Sequence, residues 1–376
     1  MAVREPDMNA GPSGAGWFTR LIARPGFQNF ASSLPLGRWF AKRDGADIFE
    51  VLQGFVSSQV LFALVDLKIL PSLLEGPKTA DALGFAHSIP ADRMVQLLQA
   101  GAALGLLKQT RDGRFGLARK GAAILGVPGL ADMIRHNKAF YADMADPAAL
   151  MRGEGETHLQ RFWPYVFGAG SEIDADVAQT YSNLMAESQV LVARDTLRML
   201  PIKGDVTVLD VGGGSGVFLS EVLRRNKRAK AMLFDLPEVI PAAQTRVQEL
   251  GHQRRISLHG GDFRRDSLPQ GADVISLVRV LYDHGDETVE SLLSRVYEAL
   301  PKGGRLIVTE PMSGGVRPER AGDVYFAFYT MAMGTGRTRS AARIAEMCEA
   351  AGFQPKRIRP PLRPYITTAI DFEKPA

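Results

Sequence analysis

The chain has 376 residues, 45% hydrophobic and 23% charged, which suits one large or two ordinary globular domains with ample core. Its single cysteine, Cys348, excludes an intramolecular disulfide and a cysteine-rich zinc site, and fits a reducing compartment. A net charge of +4, with arginines spread along the chain, is too mild to point to nucleic acid.

The first fifteen residues are rich in Gly, Pro and Ala and lack the apolar core of a secretory signal, so a cytoplasmic location is expected. Residues 1–46 read as an extension. There Trp17, Phe18, Phe27, Phe30, Trp39 and Phe40 are interleaved with Arg20, Arg24, Arg38, Lys42 and Arg43. Rings mixed with cations suit a membrane interface; they equally suit packing on the rest of the protein or on a partner subunit.

Residues 47–165 read as a small helical domain. The apolar stretch 54–70 is broken by Ser57, Ser58, Gln59, Asp66 and Lys68, which predicts a buried helix rather than a membrane span. Two short helices are expected within 79–107, the second opening at Pro90. The pair Asp112-Gly113 then predicts a tight turn between two short strands. Three helices followed by a hairpin make a winged-helix-like arrangement. Its third helix carries Met94, Val95, Leu97 and Leu98, where a helix that reads DNA needs exposed Arg, Lys, Asn or Gln. A dimerisation or substrate-capping role is expected instead, with no nucleic-acid partner.

From 175 to 376 strands alternate with helices, which predicts an α/β, Rossmann-like, doubly wound domain. Strands are expected at 206–211, 231–236, 256–262, 273–283 and 305–311, with two antiparallel edge strands closing the chain. The first strand ends in Asp210-Val-Gly212-Gly213-Gly214-Ser-Gly216. The dinucleotide spacing fails because Val217 stands where a third glycine is required, and no Gly-Lys-Ser/Thr closes a triphosphate loop. What remains suits a cofactor with an amino-acid tail and a sulfonium cation, held without phosphates at a helix N-terminus. Asp235 ends the second strand, where a carboxylate can accept both ribose hydroxyls. Asp262 ends the third and can accept from an adenine amino group, with Phe263 covering the ring. Taken singly, the glycines could form a ligand-free turn and Asp235 could cap the helix after Pro237. Three successive strand ends in that order make a constellation.

With these motifs, residues 47–376 resemble the S-adenosylmethionine-dependent O-methyltransferases typified by the plant caffeate and flavonoid enzymes and by acetylserotonin O-methyltransferase. Tyr181-Ser-Asn-Leu-Met185-Ala-Glu-Ser188, Gly303-Gly304 and Glu310-Pro311 extend the resemblance. It implies a homodimer built through the N-terminal domain and S-adenosylmethionine as the cofactor. It also implies Ser188 near the methionyl carboxylate, Met185 near the substrate, and Arg279 on the cofactor where the family usually has lysine. One departure matters. Members acting on phenols carry a histidine base in Leu-His-Asp-Trp, whereas this chain has Leu281-Tyr282-Asp283-His284. A tyrosine is a poor base near neutral pH. The candidates for proton handling are then Tyr282 itself, His284, Glu310 and His136, the last also a candidate substrate contact.

The stretches 161–168, 279–284 and 333–339 are similar to the bacterial carotenoid O-methyltransferases, which methylate the tertiary 1-hydroxyl of hydroxyneurosporene and demethylspheroidene. That narrower resemblance implies a hydroxylated carotenoid as substrate and peripheral contact with the inner (photosynthetic) membrane. An aliphatic alcohol is a weak acid, so in-line attack with late proton loss, driven by positioning and desolvation, is expected. The enzymatic alternative is another apolar acceptor, such as a bacteriochlorophyll-type tetrapyrrole or a polyketide; a carbon acceptor would explain the missing histidine equally well. A cofactor-binding regulator using the winged domain on DNA is the non-enzymatic alternative. No Asp/Glu/His cluster stands out, so no metal is expected.

Overall fold

A computed structural model describes residues 15–24, 26–27, 30, 33–162, 175–363 and 367–376. The chain divides into two compact units, residues 1–122 and 123–376.

The first unit holds the helices Ala15–Ile22, Pro35–Asp66, Ile69–Ser72, Ala80–Ala86 and Ala91–Ala103, then an antiparallel pair, β1 (Leu107–Gln109) and β2 (Phe115–Leu117). Pro35 opens the long helix where its missing N–H costs nothing. Lys68, at φ 55°, turns the chain after that helix ends. Thr79 Oγ1 accepts the Ala82 N–H at 3.2 Å and caps the short helix Ala80–Ala86. Leu64, Ile69, Leu70, Leu83, Met94, Leu98 and Leu107 form the core, each 2% exposed or less. Gly101 lets helices approach: a Cβ there would lie 2.9 Å from Leu64 Cδ1. Helices followed by a hairpin are as the sequence implies.

Burial of the stretch 54–70 is not. Only its end is fully covered, at Leu64, Val65, Ile69 and Leu70, while Phe55 and Val56 are 69% and 47% exposed, and Phe49 and Leu52 just before the stretch are 59% and 63% exposed. A 32-residue helix is about 48 Å long, more than three short helices and a hairpin can cover. The same helix passes through residue 46 without a break.

The second unit begins with the helices Leu130–Asp143, Pro147–Arg152, His158–Phe162 and Ala175–Met199. Residues 163–168, part of the stretch read as carotenoid-enzyme-like, lie outside the described residues. A seven-stranded sheet follows: β3 (Thr207–Val211), β4 (Lys230–Asp235), β5 (Ile256–Gly260), β6 (Val274–Val278), β7 (Arg305–Glu310), β8 (Gln354–Arg359) and β9 (Thr368–Glu373). Their order is β5-β4-β3-β6-β7-β9-β8, with the first five parallel and β9 antiparallel to both neighbours.

Burial on both faces explains the near-continuous apolar runs. Leu209, Val211, Ile275, Leu277, Leu306 and Val308 enter one core cluster; Val208, Val274, Val278 and Ile307 enter the other, the period of two expected of strands. Asp210 and Ser276, opposite each other in the register of β3 and β6, are polar exceptions, as are Thr309 and Glu310 at the end of β7. The chain winds outward from β3 to β5 and then returns to place β6 on β3's other side. That reversal opens a crevice at the C-terminal ends of β3 and β6, where ligands of such sheets bind. Strand β6 stops at Val278, earlier than expected: the Arg279 N–H still reaches the Thr309 carbonyl at 2.8 Å, but its φ of 59° turns the chain away from the strand.

Candidate active site

One cavity in the second unit is lined by Asp210, Gly212, Gly214, Asp235, Asp262, Phe263, Arg279 and His284, eight of the residues singled out from the sequence. The glycines do different jobs. Gly212 (φ 68°) turns the chain off β3, and a Cβ there would meet Val280 Cγ2 at 2.8 Å. Gly214 (φ 55°) faces open space, with nothing within 4 Å of an added Cβ. Gly216 (φ 79°) starts the helix Val217–Arg225 and lies outside the cavity lining.

Two acids stand behind the turn. Asp210 accepts from Ser276 Oγ at 2.6 Å, and burial, reinforced by the charge of Asp235, pushes its carboxyl up to about 7. Asp235 accepts the Gly214 N–H through Oδ2 and the Leu236 N–H through Oδ1, both at 2.7 Å. Burial raises it to about 6 against those two donors. It therefore fastens the glycine turn to the end of β4; the helix after Pro237 begins only at Ile240 and takes no cap from it. Asp262 is gripped by Arg264, whose Nε reaches Oδ1 at 2.9 Å and whose Nη2 reaches Oδ2 at 2.9 Å. Phe263 meets His284 edge-on, with centroids 5.2 Å apart. Burial and the nearby Arg264 and Arg339 lower His284 to about 4, so its ring is neutral.

The segment 279–284 is the centre of a polar network. Arg279 donates from Nη1 to Ser188 Oγ at 3.0 Å and from Nη2 to Tyr282 Oη at 3.1 Å. Tyr282 is 3% exposed, and burial raises its hydroxyl beyond the ordinary tyrosine range. Glu310, at the end of β7, accepts the backbone N–H groups of Val280 and Leu281 at 2.8 Å and of Tyr282 at 3.4 Å. Burial raises its carboxyl to about 7. Glu310 does not line the cavity; it anchors the loop that does.

Three further residues join the site without having been singled out. Arg339, 5% exposed, donates to the carbonyls of Leu281 (2.9 Å) and His284 (2.8 Å) and pairs with Asp286 at 2.7 Å. Asp283 and Gln189 line the cavity, and Asp283 Oδ1 and Gln189 Oε1 are buried without a hydrogen-bond partner. Burial and the charge of Glu310 hold the Asp283 carboxyl well above its usual range. Asp283 stood inside the Leu-Tyr-Asp-His stretch, and Arg339 closed the 333–339 stretch, so both had a signal in the sequence.

His136 lies apart from this cavity. Its Nε2 is 2.6 Å from Tyr329 Oη, in an aromatic cluster with Phe140 and Tyr325, whose rings are each within 6.0 Å of Tyr329. Burial lowers His136 to about 4. Met185 is on the helix Ala175–Met199, and its side chain lies outside the described residues.

Comparison with known proteins agrees with this geometry. Residues 141–354 match the O-methyltransferase domain and residues 49–125 the O-methyltransferase dimerisation domain. The demethylspheroidene O-methyltransferase of Cereibacter sphaeroides is 53% identical over 357 residues, which cover 95% of this chain and 94% of that protein. Its counterpart from Rhodobacter capsulatus is 46% identical, covering 96% and 91%. The crystal structure of human N-acetylserotonin methyltransferase in complex with S-adenosylmethionine shares the fold, with a TM-score of 0.74 at 23% identity, covering 89% of this chain and 98% of that one. A family model spanning more than half of the chain, and a relative alike along nearly all of it, lead to one conclusion: this chain belongs to the O-methyltransferase family, with S-adenosylmethionine as its cofactor.

Proposed function

We propose that the chain methylates the tertiary 1-hydroxyl of a hydroxylated carotenoid of the demethylspheroidene type. The observation that carries this is the near full-length likeness to two demethylspheroidene O-methyltransferases. Tyrosine at 282, in place of a histidine base, supports it, because a tertiary alcohol is too weak an acid to be deprotonated before attack.

The cavity suits the cofactor chemically. Asp283 Oδ1 and Gln189 Oε1 are buried polar atoms that lack a partner, and Gly214 leaves room beside Asp235. S-adenosylmethionine supplies an electrophilic methyl group on a sulfonium sulfur. In this reading Asp235 holds the ribose hydroxyls, with Asp210 and Gly212, Gly214 and Gly216 shaping the turn beneath them. Asp262, Phe263 and His284 take the adenine end, where His284 offers a neutral ring edge-on to Phe263. Arg279 and Ser188 receive the carboxylate of the amino-acid tail.

The chain's remaining contribution is positioning. Glu310 and Arg339 lock the 280–284 loop from two sides, which keeps Asp283 and Arg279 in place. The cluster of Phe140, Tyr325 and Tyr329 offers an apolar wall for the end of a polyene. Among the polar groups of that cluster, His136 is neutral and bonded to Tyr329, so it can take the hydroxyl proton late in the transfer. Met185 is assigned to the substrate side. A second copy covers the exposed apolar face around Phe49, Leu52 and Phe55, giving a homodimer through the dimerisation domain. A carotenoid is delivered from lipid, so the enzyme meets a membrane during its cycle.

The test is methyl transfer from labelled S-adenosylmethionine to a 1-hydroxy carotenoid in detergent, read by product mass. One added methyl on oxygen is expected. Cofactor binding without transfer to any 1-hydroxy carotenoid would overturn the substrate.

A further inference from the structure

Between residues 8 and 43 the chain has five basic residues and no acidic one, and acids return only at Asp44, Asp47 and Glu50. This stretch precedes the dimerisation-domain match, which begins at residue 49. Its described part is helical at Ala15–Ile22 and from Pro35 onward. Trp17, Phe30, Trp39 and Phe40 are 62%, 61%, 56% and 52% exposed. Arg20, Arg24, Lys42 and Arg43 are exposed beside them. Arg43 lies over the Trp39 ring, 5.6 Å from its centroid, and Trp39 meets Phe40 edge-on at 4.9 Å.

Large rings left in solvent are costly unless something covers them. Trp sits best where one side is apolar and the other wet, and guanidinium groups bind phosphates. A second copy is the poorer occupant, because a two-fold contact through this stretch would set its cations against their own kind. A bilayer-crossing helix is also poorer. The apolar stretch of the helix Gly37–Asp66 has the length and hydropathy for it, yet from residue 49 that stretch belongs to the dimerisation-domain match, and Glu50 would enter the bilayer with it.

We propose that residues 15–43 form a docking surface for anionic lipid, with the rings at headgroup depth and the arginines and lysine on lipid phosphates. The docking is peripheral and electrostatic in part, so it weakens with salt. Its use in collecting a substrate from the bilayer rests on the carotenoid reading; the docking itself does not, and is tested without substrate.

The full chain is floated with vesicles of phosphatidylcholine alone and of phosphatidylcholine mixed with phosphatidylglycerol. Binding to the mixed vesicles, reversed by salt, is expected. At about 1 kcal/mol per basic residue, the triple variant Arg24→Gln, Lys42→Gln, Arg43→Gln binds on the order of a hundredfold more weakly. Trp39→Ala with Phe40→Ala also loses binding to the mixed vesicles. In both variants the sedimentation coefficient and cofactor affinity stay as in the parent chain, which shows that they fold. Equal binding to both lipids would overturn the proposal, as would variants that dissociate the dimer while still floating. Protein that resists an alkaline carbonate wash would instead be a crossing helix, which also overturns it.

Discussion

The Tyr282 hydroxyl accepts from Arg279 Nη2 at 3.1 Å, and the same guanidinium reaches Ser188 through Nη1 at 3.0 Å. The residue standing where phenol-methylating relatives keep a histidine base is thus tied to the cation assigned to the cofactor's carboxylate. Buried and raised above its ordinary range, the hydroxyl stays protonated, which suits a positioning role. Tyr282→Phe removes one neutral acceptor from Arg279 and the hydroxyl's hydrogen bond with the Asp283 carboxyl, and no charge. It is expected to keep kcat within about tenfold and to raise the cofactor KM by a similar factor. Steady-state kinetics check this; a loss of several orders in kcat would make the phenol a participant in proton transfer.

Glu310 separates anchoring from acid–base work. A glutamine can keep an oxygen at the Oε1 position, which accepts the Val280 and Leu281 N–H groups, whereas alanine leaves both donors buried and unpaired. Glu310→Gln is expected to remain near parental activity. Glu310→Ala should lose about 2 kcal/mol or more in urea unfolding, with cofactor binding weakened in step. If the glutamine variant is inactive while binding cofactor normally, the carboxylate itself handles protons.

Asp210 gives the stability a pH dependence whose sign can be fixed. Burial puts its folded-state pKa at about 7, above its ordinary value near 4. The folded chain therefore holds this proton more tightly than the unfolded chain. The stabilisation is complete below the ordinary value and is lost as pH rises toward 7. His136 and His284, lowered to about 4, change stability in the opposite direction, so the clean observable is a difference between variants. The stability of the parent relative to Asp210→Asn should fall by about 2–3 kcal/mol between about pH 5 and about pH 8. A flat difference would show that Asp210 is ionised throughout.

Asp235 joins β4 to the glycine turn through the Gly214 N–H and is assigned to the ribose. Asp235→Ala should weaken S-adenosylmethionine binding by about a hundredfold or more by calorimetry, since charge-assisted hydrogen bonds are the strong ones. Asp235→Asn keeps one acceptor oxygen and should lose less. An unchanged affinity in the alanine variant would remove the ribose from this strand end.

The parts of the site that the sequence made legible are those fixed by local backbone chemistry. A turn at Gly212 and Gly214 needs positive φ, and an acid at the end of β4 sits one strand over from that turn. Those constraints act within a few residues of the motif. Arg339 acts on Leu281 and His284 from more than fifty positions away, and Glu310 reaches back some thirty to the loop at 280–282. No periodicity encodes such pairings; they depend on which strand ends the sheet order brings together. The exposed face near Phe55 was misread for a related reason. An apolar stripe shows that something will cover a helix, but not whether the cover belongs to the same chain.

His136 carries the last consequence. Its imidazole is neutral because burial holds it near 4, and its Nε2 lies 2.6 Å from Tyr329 Oη, which stacks on Tyr325 at 6.0 Å. A neutral histidine beside a phenol can receive a proton from a hydroxyl held in the same cluster, and no residue of the cofactor cavity need change with it. His136→Gln keeps a hydrogen-bonding group near Tyr329 and removes the basic nitrogen. It is expected to lower kcat by about a hundredfold at unchanged cofactor affinity. Because the ring is already neutral well below the assay range, the parent should show no acid limb in kcat from this group between about pH 5 and about pH 8. Parental kcat in His136→Gln would mean that the proton leaves directly to solvent and that positioning alone carries the transfer.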